Sequence, residues 1–358
     1  MEMTFKPALE KKPGKPVIIA GPCSAETEEQ VLKTAHALAQ QNIDLFRAGI
    51  WKPRTRPGMF EGIGTEGLGW LKRVKEETGL RVTTEVASTQ HVFDALKYGI
   101  DVLWIGARTT VNPFSVQEVA DALKGTKIPV MIKNPVNPDL KLWMGAVERI
   151  LKTGIEQVSV IHRGFSHHGD TKYRNVPRWE IPIELKRAFP EVQIIVDNSH
   201  ICGNRHMLQA IAQQAMDLNY DGIMTEVHPT PDDAWSDAAQ QITPEVFGQL
   251  VAELKMRVPT TDNPEYLENI EHLRNEIDEL DEELINLLST RMQVAEKIGS
   301  YKKRNNIAIL QTNRWSEIMD KTIKKGLDKG LSDDFVSNVF RSIHEESINH
   351  QERIMNKK

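Results

Sequence analysis

The sequence predicts an α/β chain: a (β/α)8 TIM barrel followed by an all-α helical domain. Three observations carry this. Eight short β-rich runs alternate with amphipathic stretches between residue 17 and about residue 258. They come without the Gly-rich dinucleotide fingerprint that would favour an open doubly wound sheet. Beyond the segment VPTTDNPE, residues 258–265, the β-rich runs stop and a helical apolar periodicity takes over.

The runs read as strands are VIIA from 17, IDLFR from 43, RVTTE from 81, VLWIG from 102, IPVMIK from 128, QVSVIHR from 157, VQIIVD from 192 and GIMTE from 222. Each is short and rich in β-branched or aromatic residues. Helical patterns such as ETEEQVLKTAHALAQ and RHMLQAIAQQAM lie between them, as a crossover between parallel strands requires. The two prolines and polar residues of VPTTDNPE read as a linker. From Pro264 to about Lys303, Leu267, Ile270, Leu273, Ile277, Leu280, Leu284, Leu287 and Leu288 form an apolar stripe. A helix of that length spans ~60 Å at ~1.5 Å per residue. That is too long for a small domain to cover alone, so a homodimer through this helix is expected. Two shorter helices are predicted near 313–328 and 333–353. The expected organisation is a barrel at 1–257, a linker at 258–265 and a helical domain at 266–358.

Composition narrows the function. A net charge of −5 lacks the basic excess of a nucleic-acid binder. No apolar run approaches the ~20 residues needed to cross a bilayer. The opening MEMTFKPALEKKPGKP has no apolar signal core, so a cytoplasmic protein is expected. Two cysteines are too few for a disulfide framework.

In a barrel, chemistry sits at the C-terminal ends of the strands. The first run ends in GPCSAE, with Cys23. The seventh ends in DNSHICGN, with Asp197 and His200. The eighth ends in TEVHP, with Glu226 and His228, and its loop runs on to Asp237. Strands seven, eight and one are contiguous in a closed barrel, so Cys23, His200, Glu226 and Asp237 are expected to hold a divalent metal ion. Mixed sulfur, nitrogen and oxygen donors suit a transition metal, with Mn2+ admitted by the two carboxylates. His228 is left open as a supporting or acid–base residue, and Cys202 reads as core packing. The same rim carries cations: Arg47, Lys52 and Arg54 with Thr55 after the second run, Arg108 after the fourth, Lys133 after the fifth and Arg163 after the sixth. So many cations at one mouth imply a ligand with several negative charges, phosphate or carboxylate, unless Glu85, Glu226 and Asp197 pair with them.

In order, GPCS, KPRT, GART, the Lys-Asn after the fifth run, the Arg-Gly after the sixth, D-x-S-H and the E-V-H-P to S-D stretch resemble the signature of 3-deoxy-D-arabino-heptulosonate 7-phosphate (DAHP) synthases of the smaller type I subclass. The resemblance covers residues 15–258. It implies condensation of phosphoenolpyruvate with erythrose 4-phosphate. Cys23, His200, Glu226 and Asp237 would hold the metal. Arg108, Lys133 and Arg163, with Arg47 nearby, would bind phosphoenolpyruvate. Lys52 would lie between the substrates as a catalytic residue, and Arg54 and Thr55 would grip the aldose phosphate. The related octulosonate 8-phosphate synthases typically carry K-A-N-R-S where this chain has Lys52-Pro53-Arg54-Thr55, so KPRT favours erythrose 4-phosphate. Family members often continue with Ser; here Arg56 follows.

On the long helix, Arg291 and Lys302 are 11 residues apart, on one face and ~16 Å apart along the axis. Arg274 lies ~42 Å from Lys302 along the same axis. It is either a surface charge or part of a symmetry-related site. The stretch LRNEIDELDEELINLLSTRMQVAEKIGSYK resembles the opening helix of the all-α chorismate mutases, and the likeness runs over 264–355. It implies rearrangement of chorismate to prephenate, with Arg291, Lys302 and Gln351 catalytic and Arg274 of the partner subunit, Arg314 and Ser347 binding substrate. Gln311 and Trp315 depart from the family's common Asp and Glu, which keeps open a helical domain serving only dimerisation and regulation. Prephenate is expected to damp the synthase from the mutase domain.

Overall fold

The computed structural model describes residues 5–53, 58–310 and 312–356, and the side chains of the helix opening at Thr312 only from Trp315 onward. Arg54 and Thr55 thus lie outside the described residues, as does the side chain of Arg314. The chain divides into two compact units, residues 1–259 and 260–358.

The first unit is a closed barrel of eight parallel strands in sequence order: β1 (Val17–Gly21), β2 (Leu45–Arg47), β3 (Val82–Val86), β4 (Val102–Ile105), β5 (Val130–Lys133), β6 (Val158–His162), β7 (Gln193–Asp197) and β8 (Gly222–Glu226). All eight predicted runs form strands. The outer helices are α1 (Glu28–Ala39), α2 (Glu66–Thr78), α3 (Thr89–Lys97), α4 (Ala107–Thr110), α5 (Pro113–Leu123), α6 (Leu140–Leu151), α7 (Glu180–Ala188), α8 (Asn198–Cys202), α9 (Leu208–Asp217) and α10 (Pro244–Glu253). Side-chain caps start several of them. Thr27, Ser88, Asn112, Asp139 and Thr243 each accept a backbone N–H at the first turn.

Strand parity divides the core in two. Ile18, Ala20, Phe46, Leu103, Ile132, Val160, Val196 and Ile223 point outwards to the helices. Val17, Ile19, Leu45, Val102, Trp104, Met131, Ile161, Ile195 and Met224 fill the barrel, with Ala8 and Leu9 below them. Because side chains alternate, the residue two places beyond an inward apolar one also points inward. That rule delivers Arg47 after Leu45, Lys133 after Met131, Arg163 after Ile161, Asp197 after Ile195 and Glu226 after Met224. All five are buried. Gly21 continues the inward row of β1, at φ +147°. A Cβ there would lie 2.1 Å from the carbonyl oxygen of Arg47, so only glycine lets β1 and β2 close at this point.

The second unit consists of α11 (Pro264–Arg304), α12 (Thr312–Leu327) and α13 (Asp333–Asn356). Asn263 caps α11, and Pro264 occupies its first turn. The C-terminal part of α11 packs on α13 through Met292, Ala295 and Gly299. The stretch before it leaves Leu273, Ile277, Leu280, Leu284 and Leu287 about half exposed or more. Among the described residues, no helix is long and apolar enough to cross a membrane.

Candidate active site

Three of the four expected metal ligands meet. Ligand atoms of Cys23, Glu226 and Asp237 all lie within 4.8 Å of one another. Cys23 follows β1 and Glu226 ends β8, and these strands are paired at Gly21 and Glu226. Asp237 comes from the loop after β8 and sits at φ +51°, a conformation rarely held by a residue other than glycine. The loop is fastened to β1: Gln241 Oε1 accepts from Cys23 N at 3.0 Å, and the Ser24 and Ser236 hydroxyls are 2.5 Å apart. The Cys23 thiol donates to Asp237 Oδ2 at 3.4 Å. Burial, followed by the charge of Glu226, pushes that thiol up to about 12.

His200, on α8, stands at the edge of this cluster. Its Nδ1 is 2.9 Å from Asp197 Oδ2 and 3.7 Å from Glu226 Oε1. Asp197 also caps α8 by accepting His200 N, so one carboxylate orients both the backbone and the ring of this histidine. The donor set fits a divalent transition metal. It is sulfur plus two carboxylates, with an imidazole beside them, and Glu226 Oε1 is buried without a hydrogen bond.

The cations surround the cluster. Arg47 Nη2 lies 3.1 Å from Glu226 Oε1, while its Nε and Nη1 are buried without hydrogen-bond partners. Lys133 Nζ pairs with Asp197 at 2.8 Å. Trp104 floors the mouth, with Arg47 and Lys133 over its ring at 5.1 and 5.6 Å. Lys52 Nζ is 2.9 Å from both the sulfur and the carbonyl oxygen of Cys23. Arg163 binds Asn175 Oδ1 at 2.5 Å, and burial lowers its pKa to about 10. Arg108 lies on α4 and is exposed. Ion pairing within the mouth is therefore real for Arg47 and Lys133. It still leaves two Arg47 nitrogens, and Arg163 is held by a neutral amide.

Sequence reasoning missed Arg174 and Gln240. Arg174 donates to Asp237 Oδ1 at 3.0 Å and to Gln240 Oε1 at 2.6 Å, and Gln240 donates to Glu226 Oε2 at 2.5 Å. Neither follows a strand directly, so the strand-end rule that found the others could not reach them. His228, left open, is buried with Nε2 3.4 Å from Glu26 Oε2 and accepts from Thr230 N through Nδ1. Cys202 packs in the outer core.

Residues 9–260 match the model of the DAHP synthetase I family. The chain belongs to that family. Residues 273–352 match chorismate mutase type II. Both are enzyme families, and the chain is an enzyme with a DAHP synthase domain and a chorismate mutase domain. A phospho-2-dehydro-3-deoxyheptonate aldolase of Thermotoga maritima is 31% identical over 238 residues, covering 66% of this chain and 68% of that protein. A crystal structure of the Thermotoga maritima DAHP synthase aligns with TM-score 0.61 at 29% identity, over 68% of this chain and 69% of that one. A 2-dehydro-3-deoxyphosphooctonate aldolase of Legionella pneumophila is 29% identical over 66% of this chain and 90% of that protein.

In the mutase domain, α11, α12 and α13 line an open cavity of about 460 Å3. Arg291, Lys302, Ser347 and Gln351 all line it. Arg291 Nη1 donates to Ser347 Oγ at 2.5 Å, Lys302 Nζ to the carbonyl of Ile309 at 2.5 Å, and Gln351 Oε1 is buried without a partner. Arg274 is not in this cavity; it is exposed on α11, nearly five helical turns from Arg291.

Proposed function

We propose that the barrel condenses phosphoenolpyruvate with erythrose 4-phosphate to DAHP and phosphate, dependent on a divalent metal ion, and that the helical domain rearranges chorismate to prephenate. The synthase is assigned to residues 1–257 and the mutase to 266–358, joined by 258–265, in a reducing cytoplasm. The observation carrying the first activity is the meeting of Cys23, Glu226 and Asp237 inside a ring of cations.

Cys23, Glu226 and Asp237, with His200 turned in from its Asp197 support, would hold the ion. When bound, it would polarise and orient the aldehyde oxygen. Arg47, Arg108, Lys133 and Arg163 would bind the phosphate and carboxylate of phosphoenolpyruvate. They offset repulsion between anions that must approach to bonding distance, in a buried site where such interactions are strong. Carbon 3 of phosphoenolpyruvate attacks the aldehyde carbon, water adds at carbon 2, and phosphate leaves. Lys52, beside Cys23, would give a proton to the new alkoxide. Arg54 and Thr55 would hold the aldose phosphate.

In the helical domain, Arg291, fixed by Ser347, and the partner subunit's Arg274 would hold the two carboxylates of chorismate in a compact conformer. Lys302 and Gln351 would bond the ether oxygen, where negative charge grows as the C–O bond breaks. Arg314 and Ser347 complete the binding set. Pairing of two chains along α11 explains how Arg274 reaches a site that its own chain cannot offer it. Prephenate bound there is proposed to damp the synthase, which requires unequal affinity for two arrangements of the chain.

A second reading of the barrel, octulosonate 8-phosphate synthesis from arabinose 5-phosphate, is favoured by the 29% identical relatives. Phosphate release from phosphoenolpyruvate with each aldose phosphate in turn decides. Turnover with erythrose 4-phosphate alone supports the first reading, and turnover with arabinose 5-phosphate alone ends it.

A further inference from the structure

Trp315 departs from the mutase pattern, and the structure shows what it meets. Its ring stacks on His344 of α13, centroids 4.0 Å apart and planes 19° from parallel. Both side chains line the 460 Å3 cavity with Arg291, Lys302, Ser347 and Gln351. His344, Ser347 and Gln351 fall at i, i+3 and i+7 on α13, a spacing that puts all three on one helical face. Among the described lining residues there are two cations and no carboxylate. His344 Nε2 is shut off from solvent and has no hydrogen-bond partner. An unmade hydrogen bond on a buried polar atom is destabilising. A buried atom left unpaired beside two cations points to an anionic acceptor or a polar ligand that arrives later.

Resting on the mutase reading of this cavity, we propose that His344, stacked flat against Trp315, is a ligand-contacting residue: a small slide of its ring along the indole uncovers Nε2, which then hydrogen-bonds a carboxylate of the bound dicarboxylate. Trp315 acts through His344 as a positioning residue: it fixes the ring plane and so the direction in which Nε2 points. The charges acting on the imidazole, among the described residues, are Arg291 and Lys302 of α11, and α12 adds only the neutral indole. Burial, then those two cations, hold the pKa of His344 below its ordinary value, so its imidazole is uncharged at pH 7 before a ligand binds. A dianion between Arg291 and Lys302 reverses that balance. Binding then takes up a proton, and affinity falls as pH rises.

The test uses the full-length chain with chorismate and prephenate. Calorimetric titration with prephenate in two buffers of different ionisation enthalpy reads proton uptake. Chorismate turnover between pH 6 and 8 reads KM and kcat. For wild type we expect uptake of a fraction of a proton near pH 7 and a KM rising with pH. In His344→Leu we expect no uptake, a flat KM raised roughly tenfold at pH 6, and unchanged or higher thermal stability, because an unpaired buried polar atom is gone. His344→Gln, which keeps a hydrogen-bond donor but cannot titrate, should recover part of the affinity with no proton uptake. Trp315→Leu should raise KM and keep the uptake. A His344→Leu chain that binds, turns over and takes up protons like wild type overturns the proposal, as does one that is destabilised with binding intact. Prephenate bound by wild type without any chorismate turnover would instead remove the mutase reading while leaving the His344 contact in place.

Discussion

Cys23, Glu226 and Asp237 bring a thiol and two acids together in the mouth of a barrel. Burial raises the Cys23 thiol to about 12, and the neighbouring Glu226 charge adds to this. A cation among these groups would let the thiol ionise and remove the repulsion between the carboxylates. Cys23→Ser is therefore expected to lose bound metal, read by elemental analysis of the purified chain. Metal content equal to that of wild type would count against the site. Arg174 touches the site only through Asp237 and Gln240, so Arg174→Ala should weaken metal affinity by about 10–100-fold without abolishing it. A chelator competition titration measures this. His162 shows the opposite use of a buried titratable group. Its Nε2 donates to the carbonyl of Pro177 at 2.6 Å and its Nδ1 accepts from the Tyr220 hydroxyl at 3.1 Å, which is the neutral tautomer. Burial lowers its pKa to about 4. The unfolded chain takes up a proton on this residue below about pH 6.5 and the folded chain does not. The stability it contributes is thus complete above pH 6.5 and drains away as pH falls towards 4, by up to about 3 kcal/mol. Denaturant midpoints of the barrel transition at pH 7, 6 and 5 should fall accordingly. A His162→Asn chain should show a flatter profile over the same window.

At the scale of elements, α11 is the exposed one. Leu273, Ile277, Leu280, Leu284 and Leu287 are spaced alternately four and three residues apart, a heptad seam that its own domain leaves 52–67% exposed. A seam of that kind calls for a second helix, and the symmetric choice is a second copy of α11. The arrangement has a sharp consequence. Arg274→Ala and Arg291→Ala chains should each be poor mutases. Mixed after joint unfolding and refolding, they should regain about a quarter of wild-type activity, since half the dimers are mixed and each of those holds one intact site. Absence of any recovery, in a mixture shown by tag capture to contain mixed dimers, would mean that Arg274 serves its own chain or none.

Across the whole molecule, two folded units carry the two proposed sets of site residues, Cys23 to Asp237 in the first and Arg274 to Gln351 in the second. Chelation should therefore stop DAHP formation and leave chorismate turnover unchanged. Communication, if the chain has it, runs through a ligand. Saturating prephenate is expected to slow phosphate release from phosphoenolpyruvate by about 5-fold or more, within the usual 1–3 kcal/mol of coupling between sites. An unaltered rate, with prephenate binding verified on the same sample, would show that the two domains are joined without being coupled.

The sequence by itself determined the architecture, because it depends on local regularities. Short β-rich runs and amphipathic helical stretches are written in neighbouring residues, and all eight strands formed where those runs lie. It also determined the strand-end chemistry, since parity sends Arg47, Lys133, Arg163, Asp197 and Glu226 to the same side as the apolar residues two places before them. Tertiary structure alone decided the rest. Asp237 reaches Cys23 through a strained turn in a loop, Arg174 and Gln240 brace two acids from outside any strand, and Trp315 finds His344 across two helices. No periodicity encodes such meetings: the residues are 14 to 214 positions apart, and only closure of the barrel and packing of the bundle bring them within hydrogen-bonding or stacking distance.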